Sequence, residues 1–412
     1  MKKTLTTLML VVALLAMLVP ASLAETKVLD MLWFSDGQEG VVMQQLIDEY
    51  EAQNPGIEIE LIEVPYADLN NKVKTMLAAG EQPALARMTN VVEFAPYLLN
   101  LDEMIGPDFR DRFVETTGII VDDVMRAATM EYTAAGVIYN KTAFDKAGVE
   151  VPKSIDEVWT WDEFKTALKT VMEKGGVKYG MALDKTVGRF WNFFYQAGAS
   201  YYNEDMTESN FNSEASRNAI QYLYDLHKEG IVPTSVWMGA ENPNTMFRSG
   251  QVGCHIGGSW MLTSYDKEIT DFEWGVTYLP KGEISAVQSA GKYFAGFEGT
   301  GLEKEAAAFI EWFCRPENMN RYLEPNFFIS NLKDAGESTG ENKYADAFRV
   351  FADEIKANES VIQREQANAM TSKINPDLLE MLSATFADQM TIDELLVEMD
   401  NIINEAIADS AE

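Results

Sequence analysis

The order of strands and helices near the N-terminus is the feature that most constrains how this chain can fold. Residues 28–34 form an apolar strand candidate, and an apolar stripe with helical spacing follows from Met43 to Tyr50. Residues 57–61 alternate like a half-buried strand, and a second helical stripe lies within residues 69–77. This strand-helix-strand-helix order predicts a mostly parallel sheet with helices on its faces.

The rest of the chain continues this alternation. Its 412 residues, 47% of them hydrophobic, suffice for about two to three domains. Thr160 and Glu163 occupy the positions of a helix capping box. We predict further strands at residues 136–140, 179–183, 252–256 and 271–279. We predict further helices at residues 144–148, 164–173, 189–195, 214–227, 303–313, 343–357 and 376–408.

Residues 1–24 are typical of a secretory signal. Lys2 and Lys3 provide its positive region, residues 8–19 its apolar region, and the segment ending at Ala24 an A-x-A-like cleavage site. The apolar run is too short for a comfortable membrane span, and no cysteine near the site offers a point for lipid attachment. We expect a secreted protein, periplasmic or extracellular, that is cleaved near Ala24 and is not a lipoprotein.

The charge of the chain argues against two classes of partner. It has 33 basic and 65 acidic residues, giving a formal net charge of −32 at pH 7. Nucleic acids and anionic membrane surfaces both require basic patches on a protein. We therefore expect no nucleic-acid partner and no binding to a membrane surface.

The two cysteines, Cys254 and Cys314, are too few for a disulfide framework in so long a chain. Secretion would permit a bond between them. Because one lies in a strand candidate and the other on an apolar helix face, we expect two separately buried free thiols.

Motifs for metal, phosphate and catalytic chemistry are absent or incomplete. The chain has two histidines, His227 and His255, and no histidine or cysteine pair with the spacing of a metal site. Residues 203–214 echo a calcium loop but have Glu208 where glycine is required. Paired phenolates at residues 201–202 could suggest ferric-ion binding, and carboxylate pairs could suggest a glycosidase, but neither forms a motif. We predict no catalytic residue, metal or cofactor.

Trp260 follows the small residues 257–259 at the end of the strand predicted at 252–256. Glycine permits a sharp turn there. The large ring has two interpretations: core packing, or a stacking platform at the strand end, where ligands of open α/β sheets bind. Sugars have flat apolar faces that match aromatic rings and hydroxyl rims that match polar side chains. Rings at loop-prone positions are Trp33, Phe34, Phe190, Trp191, Trp237, Trp260 and Tyr293.

Several motifs, in order, resemble the extracellular sugar-binding proteins of ABC importers, the group that contains maltose-binding protein. The motifs are Asn54–Ile59, Val137–Lys141, Phe144–Gly148, Thr160–Phe164, Phe211–Glu214, Phe247–Trp260, Trp274–Pro280 and Glu305–Ile310. The chain departs from the family at Pro83-Ala84, where Pro-Asp is usual, and matches it only loosely at residues 326–330.

The resemblance implies an α/β, two-lobed, periplasmic-binding-protein-like fold (type II) with a hinge. The implied N-terminal lobe comprises residues 25–133 and 278–324, and the C-terminal lobe comprises residues 134–277 and 325–412. The implied function is to capture a carbohydrate, an oligosaccharide in our prediction, between the lobes and to deliver it to the permease of an ABC transporter. We expect a monomer.

The resemblance also implies a set of ligand-binding residues. They are Phe34, Ser35, Asp36, Asn90, Glu93, Arg189, Phe190, Trp191, Asn192, Gly258 and Trp260. We add Trp237 and Tyr293, because they are aromatic residues at loop-prone positions. In this scheme Trp260 stacks on the sugar, and Asp36 and Glu93 accept its hydroxyls. The alternatives are a secreted glycoside hydrolase, or a binding protein for a peptide, a polyamine or ferric ion. The sequence does not specify which sugar binds, because length, anomer and linkage depend on pocket shape.

Overall fold

The computed structural model describes residues 26–410 except 36, 114–118, 122, 335–343, 359–361, 363–364 and 366–367. The predicted signal at residues 1–24 therefore lies outside the described residues. Within the described part of the chain, every helix is too short or too polar to cross a membrane.

Strands and helices alternate along most of the chain. The strands are β1 (Lys27–Trp33), β2 (Ile57–Glu63), β3 (Leu85–Met88), β4 (Ile120–Val121), β5 (Val124–Met125), β6 (Ala128–Asn140), β7 (Tyr179–Leu183), β8 (Val252–Gly258), β9 (Trp274–Thr277) and β10 (Ser289–Gly296). The helices of the N-terminal half are α1 (Glu39–Gln53), α2 (Leu69–Ala79), α3 (Leu101–Met104), α4 (Lys141–Ala147), α5 (Trp161–Lys174) and α6 (Val187–Gln196). Those of the C-terminal half are α7 (Glu214–Lys228), α8 (Thr234–Trp237), α9 (Pro243–Arg248), α10 (Leu262–Glu268), α11 (Glu303–Phe313), α12 (Pro316–Asn326), α13 (Ala345–Ala357), α14 (Ala369–Phe386) and α15 (Ile392–Ser410).

The strands join in the order β2-β1-β3-β10-β6-β8-β7, with β9 paired to β6 and a separate small β4-β5 hairpin. Strand β1 is parallel to β2 and β3, and β7 is parallel to β8, whereas β6 and β10 run antiparallel to their partners. The 13 residues of β6 serve both halves of the sheet. Its first half pairs with β10 and its second half with β8 and β9.

The buried apolar residues form two large cores. The first contains residues from 29–130 and 293–332, and the second contains residues from 134–287 and 347–403. Strand β6 changes core between Met130 and Ala134. We propose that the chain also crosses between the lobes within residues 288–292 and again within residues 327–332, where neighbouring residues pack on different cores. The lobe boundaries given above remain a prediction.

Local sequence signals account for many element ends. Thr160 and Glu163 form the predicted capping box of α5, because each side chain bonds to the other's backbone N–H. The helix predicted at residues 376–408 is wrong as a single element: the chain forms α14 and α15, which are separated by a turn with Asp388 at φ 59°. That aspartate interrupts the helix and binds the side chains of Tyr224 and Lys228.

Glu354 on α13 anchors the segment that follows β9. Its side chain is buried, and Oε1 accepts a 2.6 Å hydrogen bond from the backbone N–H of Leu279. Burial raises the pKa of Glu354 to about 8, although this hydrogen bond acts in the opposite direction. The carboxyl group therefore keeps its proton in the folded chain well above the pH at which it ionises in the unfolded chain.

We predict that Glu354 makes the folded protein less stable as the pH rises from about 4.5 to about 8. In this window the folded chain binds a proton that the unfolded chain has lost, so the free energy of unfolding falls with pH. Glu354→Gln keeps an oxygen acceptor for Leu279 but cannot ionise, and it should flatten this decline in thermal melts. The exposed Glu398→Gln is the control. Parallel pH profiles for the wild type and Glu354→Gln would contradict the assignment.

Candidate binding cleft

A cleft of about 940 Å³ lies between the two cores. The first core contributes Tyr66, Lys74, Arg87, Asn90 and Glu93 to its wall. Segments that carry the second core contribute Arg189, Trp191, Trp260, Ser372 and Lys373. Glu131, Thr133, Gln288 and Lys292 come from β6, β10 and the segment before β10, which join the halves.

A buried ion pair between Arg87 and Glu131 supports the first wall. Both side chains are almost fully inaccessible, and the guanidinium also donates a 2.6 Å hydrogen bond to the carbonyl oxygen of Phe34. The second oxygen of Glu131 accepts a 2.8 Å bond from the hydroxyl of Tyr322. Burial alone would lower the pKa of Arg87, but the charge of Glu131 offsets this and the pKa is raised. The guanidinium of Arg87 therefore stays charged.

The ring of Phe34 lies beneath this pair. The Arg87 guanidinium carbon is 4.1 Å from the centre of that ring, a cation–π contact. Phe34 itself is fully buried. It therefore supports Arg87 from within the first core, and it directly follows β1, the parallel neighbour of the strand β3 that carries Arg87.

On the second wall a chain of hydrogen bonds orients Arg189. Its Nε donates to Asp184 at 3.0 Å, and the other oxygen of Asp184 lies 3.2 Å from Nε2 of His255. His255 Nδ1 lies 2.7 Å from the hydroxyl of Tyr265. Burial by itself would raise the pKa of Asp184, but the bonds and charges of His255 and Arg189 lower it to about 2. Arg189 therefore keeps a charged partner that fixes its direction.

Trp260 is half-buried and lies at the end of β8, as predicted. The Arg189 guanidinium carbon is 5.2 Å from the centre of its ring. A Cβ atom on Gly258 would approach ring atoms of Trp260 to 1.9 Å, so only glycine leaves space for the indole in this position. Trp260 follows β8, whose apolar residues belong to the second core, but its ring packs against the first core, so this residue bridges the cleft at one end.

Polar groups flank the aromatic ones. Glu93 pairs with Lys74 at 2.6 Å and both remain partly exposed. The side chain of Asn90 accepts a hydrogen bond from the backbone N–H of Glu93. Trp191 donates its indole N–H to the hydroxyl of Tyr201 at 2.9 Å, which fixes the half-buried ring at the cleft.

The structure brings some of the predicted site residues together and leaves others apart. Asn90, Glu93, Arg189, Trp191 and Trp260 line the cleft. Five more predicted residues are buried and do not line the cleft: Phe34, Phe190, Asn192, Gly258 and Tyr293. Asp36 is outside the described residues.

Two predicted site residues have other surroundings. Ser35 donates a 2.8 Å hydrogen bond to Glu63. Trp237 is fully buried in the second core, where its ring contacts those of His227 and Phe386. We therefore leave Trp237 out of the site proposed below.

Several lining residues were not predicted, among them Tyr66, Lys74, Arg87, Gln288, Lys292 and Lys373. The sequence could have indicated Arg87, because it is a charged residue inside the apolar run of β3 and a buried charge requires a partner. Lys373 is an ordinary exposed helix residue in the sequence, and only the packing of α14 beside α6 brings it to the cleft.

Among the described residues, no group of three or more histidine, cysteine, aspartate or glutamate side chains could hold a metal ion. Tyr201 and Tyr202 are buried, and the hydroxyl of Tyr202 lies 2.9 Å from that of Thr371. Cys254 and Cys314 are free, buried thiols in different cores.

Sequence comparisons identify relatives along most of the chain. The family model described as "Bacterial extracellular solute-binding protein" matches residues 35–320. A binding protein of Brucella abortus is 24% identical over 308 residues, covering 72% of this chain and 74% of the relative. The "Multiple sugar-binding protein" of Streptococcus mutans is 22% identical over 312 residues, covering 68% of this chain and 70% of the relative.

Solved structures share the fold. An ABC substrate-binding protein of Listeria monocytogenes, in complex with cycloalternan, has a TM-score of 0.80 at 19% identity and covers 92% of this chain and 99% of that one. The GacH receptor of Streptomyces glaucescens, solved unliganded and with acarbose, has a TM-score of 0.81 at 19% identity, with coverage of 93% and 98%. The two-lobed α/β fold predicted from the sequence is confirmed.

We predict that removing one partner of the buried pair destabilises the protein strongly. Arg87→Met should lower the free energy of unfolding by about 3–5 kcal/mol, because it leaves the carboxyl group of Glu131 buried without its cationic partner. The double variant Arg87→Met/Glu131→Leu should recover most of this loss in urea unfolding. The exposed Lys228–Asp388 pair provides the control, and Lys228→Met should cost no more than about 1 kcal/mol. If Arg87→Met and Lys228→Met lowered the free energy of unfolding by the same amount, a special role for the buried pair would be refuted.

Proposed function

We propose that this chain, which belongs to the family of bacterial extracellular solute-binding proteins, binds a carbohydrate in the cleft and delivers it to the permease of an ABC transporter. The observation that carries the proposal is the arrangement of Trp260 and Trp191 beside Arg189, Asn90 and Glu93 in one cleft. Rings of this kind stack on the apolar faces of sugars, and the polar groups bond the hydroxyls.

The size of the cleft supports a ligand larger than one sugar ring. Pockets for small molecules measure about 300–1,000 Å³, and this cleft, at about 940 Å³, is near the upper end. The relatives point to the same class of ligand, because they include a multiple sugar-binding protein and structures with cycloalternan and acarbose. We therefore propose an oligosaccharide.

Closure of the two lobes around the ligand is the proposed mode of capture. Walls from different cores face the cleft, and β6, residues 288–292 and residues 327–332 connect the cores. A ligand that contacts Glu93 on one wall and Trp260 on the other favours the closed state by its difference in affinity for the two states. The permease would then recognise the closed form outside the membrane.

Binding without turnover is the part of the proposal that separates it from a glycoside hydrolase. Two carboxylates line the described cleft, Glu93 and Glu131. Glu131 is held by Arg87 and Tyr322, and Glu93 pairs with Lys74. Each of these two carboxylates is thus already held by a cationic side chain, whereas a glycosidase needs one carboxyl group as an acid and a second as a base or nucleophile. An assay for release of reducing sugar from bound oligosaccharides tests this directly, and turnover would refute it.

We predict that Trp260→Ala weakens binding of the preferred oligosaccharide by about 2 kcal/mol or more, because a buried aromatic anchor is lost. Isothermal titration calorimetry measures the change. Trp159→Ala is a matched control, because Trp159 is also half-buried but stacks on Phe164 away from the cleft lining. Unchanged affinity in folded Trp260→Ala protein would remove this ring from the site.

We also predict that the ligand makes the protein more compact. Solution scattering should give a smaller radius of gyration with a saturating oligosaccharide than without it, because closure brings the lobes together. An unchanged radius with binding verified by calorimetry would argue against capture by closure.

A further inference from the structure

Gln288 lines the cleft at the point where the chain crosses between the lobes. Val287, the residue before it, is buried in the second core, and Tyr293 on β10 is buried in the first. The side chain of Gln288 is half-buried, and its amide carries an acceptor oxygen and two donor hydrogens. The direction of that amide therefore decides what Gln288 offers a ligand.

Arg189 sets the direction of the amide. Its guanidinium donates a hydrogen bond from Nη1 to Oε1 of Gln288. A guanidinium has donors and no acceptor, so the amide presents its oxygen to Arg189 and its nitrogen away from it. Arg189 is itself held by Asp184, and its guanidinium carbon lies 5.2 Å from the centre of the Trp260 ring. Gln288, Arg189 and Trp260 are therefore successive neighbours in the cleft.

The amide nitrogen of Gln288, Nε2, has no hydrogen-bond acceptor among the residues that the structure describes. Gly188 lies beside this nitrogen and also lines the cleft. A Cβ atom on Gly188 would lie 3.0 Å from Cδ and 3.1 Å from Nε2 of Gln288, so glycine leaves the amide its space. A half-buried donor that faces a cleft without a protein acceptor is suited to an oxygen atom of a ligand.

The backbone at Gln288 is fixed to the second lobe. Asn192 on α6 accepts a 2.7 Å hydrogen bond from the N–H of Gln288, and the N–H of Ala135 donates to its carbonyl oxygen at 3.1 Å. Asn358, which follows α13, bonds the N–H and the carbonyl oxygen of Val287 at 2.8 and 2.9 Å. These three partners come from segments that carry the second core. Gln288 therefore moves with the second lobe, although the crossing to the first begins at this residue.

We propose that Gln288 is a ligand-binding residue whose amide nitrogen donates a hydrogen bond to an oxygen atom of the saccharide. This inference rests on the proposed function and adds a contact to the same cleft. The ring of Trp260 binds an apolar face of the sugar, and Gln288 binds an oxygen on its polar rim. Asn192 does not line the cleft, and it serves this contact by fixing the backbone of Gln288.

The attachment of Gln288 to one lobe determines how this contact relates to closure. Gln288 and Arg189 bond to each other and move with the second lobe, so the amide faces the ligand in the same way in the open and the closed form. A contact that is equally strong in both forms raises affinity but does not shift the equilibrium between them. Loss of the contact should therefore lower affinity and leave the ligand-bound protein closed.

The test uses two variants of Gln288 that differ in what they keep. Calorimetry on the wild-type protein with trisaccharides and pentasaccharides of the malto, cello, manno, xylo, arabino, galacto and chito series selects the saccharide that binds most tightly. Gln288→Met keeps the approximate length of the side chain but has neither the donor nor the oxygen. Gln288→Glu keeps an oxygen acceptor for Arg189 but, when ionised, has no hydrogen to donate. We expect each variant to bind the selected saccharide about tenfold more weakly than the wild type does.

Gln251→Met is the matched control. Gln251 is also a half-buried glutamine before a strand of the second lobe, but its amide donates to Ser249 and it lies outside the cleft lining. This variant should bind the saccharide as the wild type does. Solution scattering at saturating saccharide should give the same radius of gyration for the wild type and for both Gln288 variants. Thermal melts verify that all three variants are folded.

The contrary results distinguish the inference from the function on which it rests. If Gln288→Met binds the saccharide as the wild type does, the inference is overturned and the proposed function stands. If Gln288→Met is weakened but Gln288→Glu is not, Gln288 serves only to hold Arg189, and donation to the ligand is overturned. If the saturated variants have a larger radius of gyration than the saturated wild type, Gln288 acts on closure, and the inference is again overturned. If no saccharide binds the wild type, the proposed function and the inference are both overturned.

Discussion

The continuity of β6 is the constraint on which the rest of the structure depends. This strand of 13 residues pairs with β10 along its first half and with β8 and β9 along its second half. It therefore contributes side chains to both cores. The cleft lies where that strand passes from one core to the other, and Glu131 and Thr133 are part of its base. A β-strand accommodates twist, which is compatible with the closure of the two lobes proposed above.

Charge pairing explains how polar side chains are held at this joint. The Arg87–Glu131 pair is almost fully buried and is hydrogen-bonded to the carbonyl oxygen of Phe34 and the hydroxyl of Tyr322, and these contacts fix the geometry of one wall. On the other wall, Asp184, which is itself held by His255, fixes the orientation of the Arg189 guanidinium. Each wall is therefore organised before a ligand arrives, and a preorganised site loses less conformational entropy on binding.

Much of the fold could be predicted from local sequence patterns, because helix periodicity and caps act over a few residues. The capping box at Thr160 and the position of Trp260 after β8 are examples. The partners of Arg87 could not be predicted, since Glu131 is 44 residues away and only the sheet order makes them neighbours. Trp237 was expected in the site but is buried in the second core. The local sequence around an aromatic residue does not show whether its ring faces a ligand or the core.

The separate placement of the two thiols has a practical consequence. Cys254 belongs to the second core and Cys314 to the first, both are inaccessible, and burial raises the pKa of each thiol well above its usual range. Neither thiol can react with a labelling reagent until its own core opens. The chain thus carries one native chemical reporter in each lobe, and the two labelling rates measure whether the lobes unfold as one cooperative unit or independently.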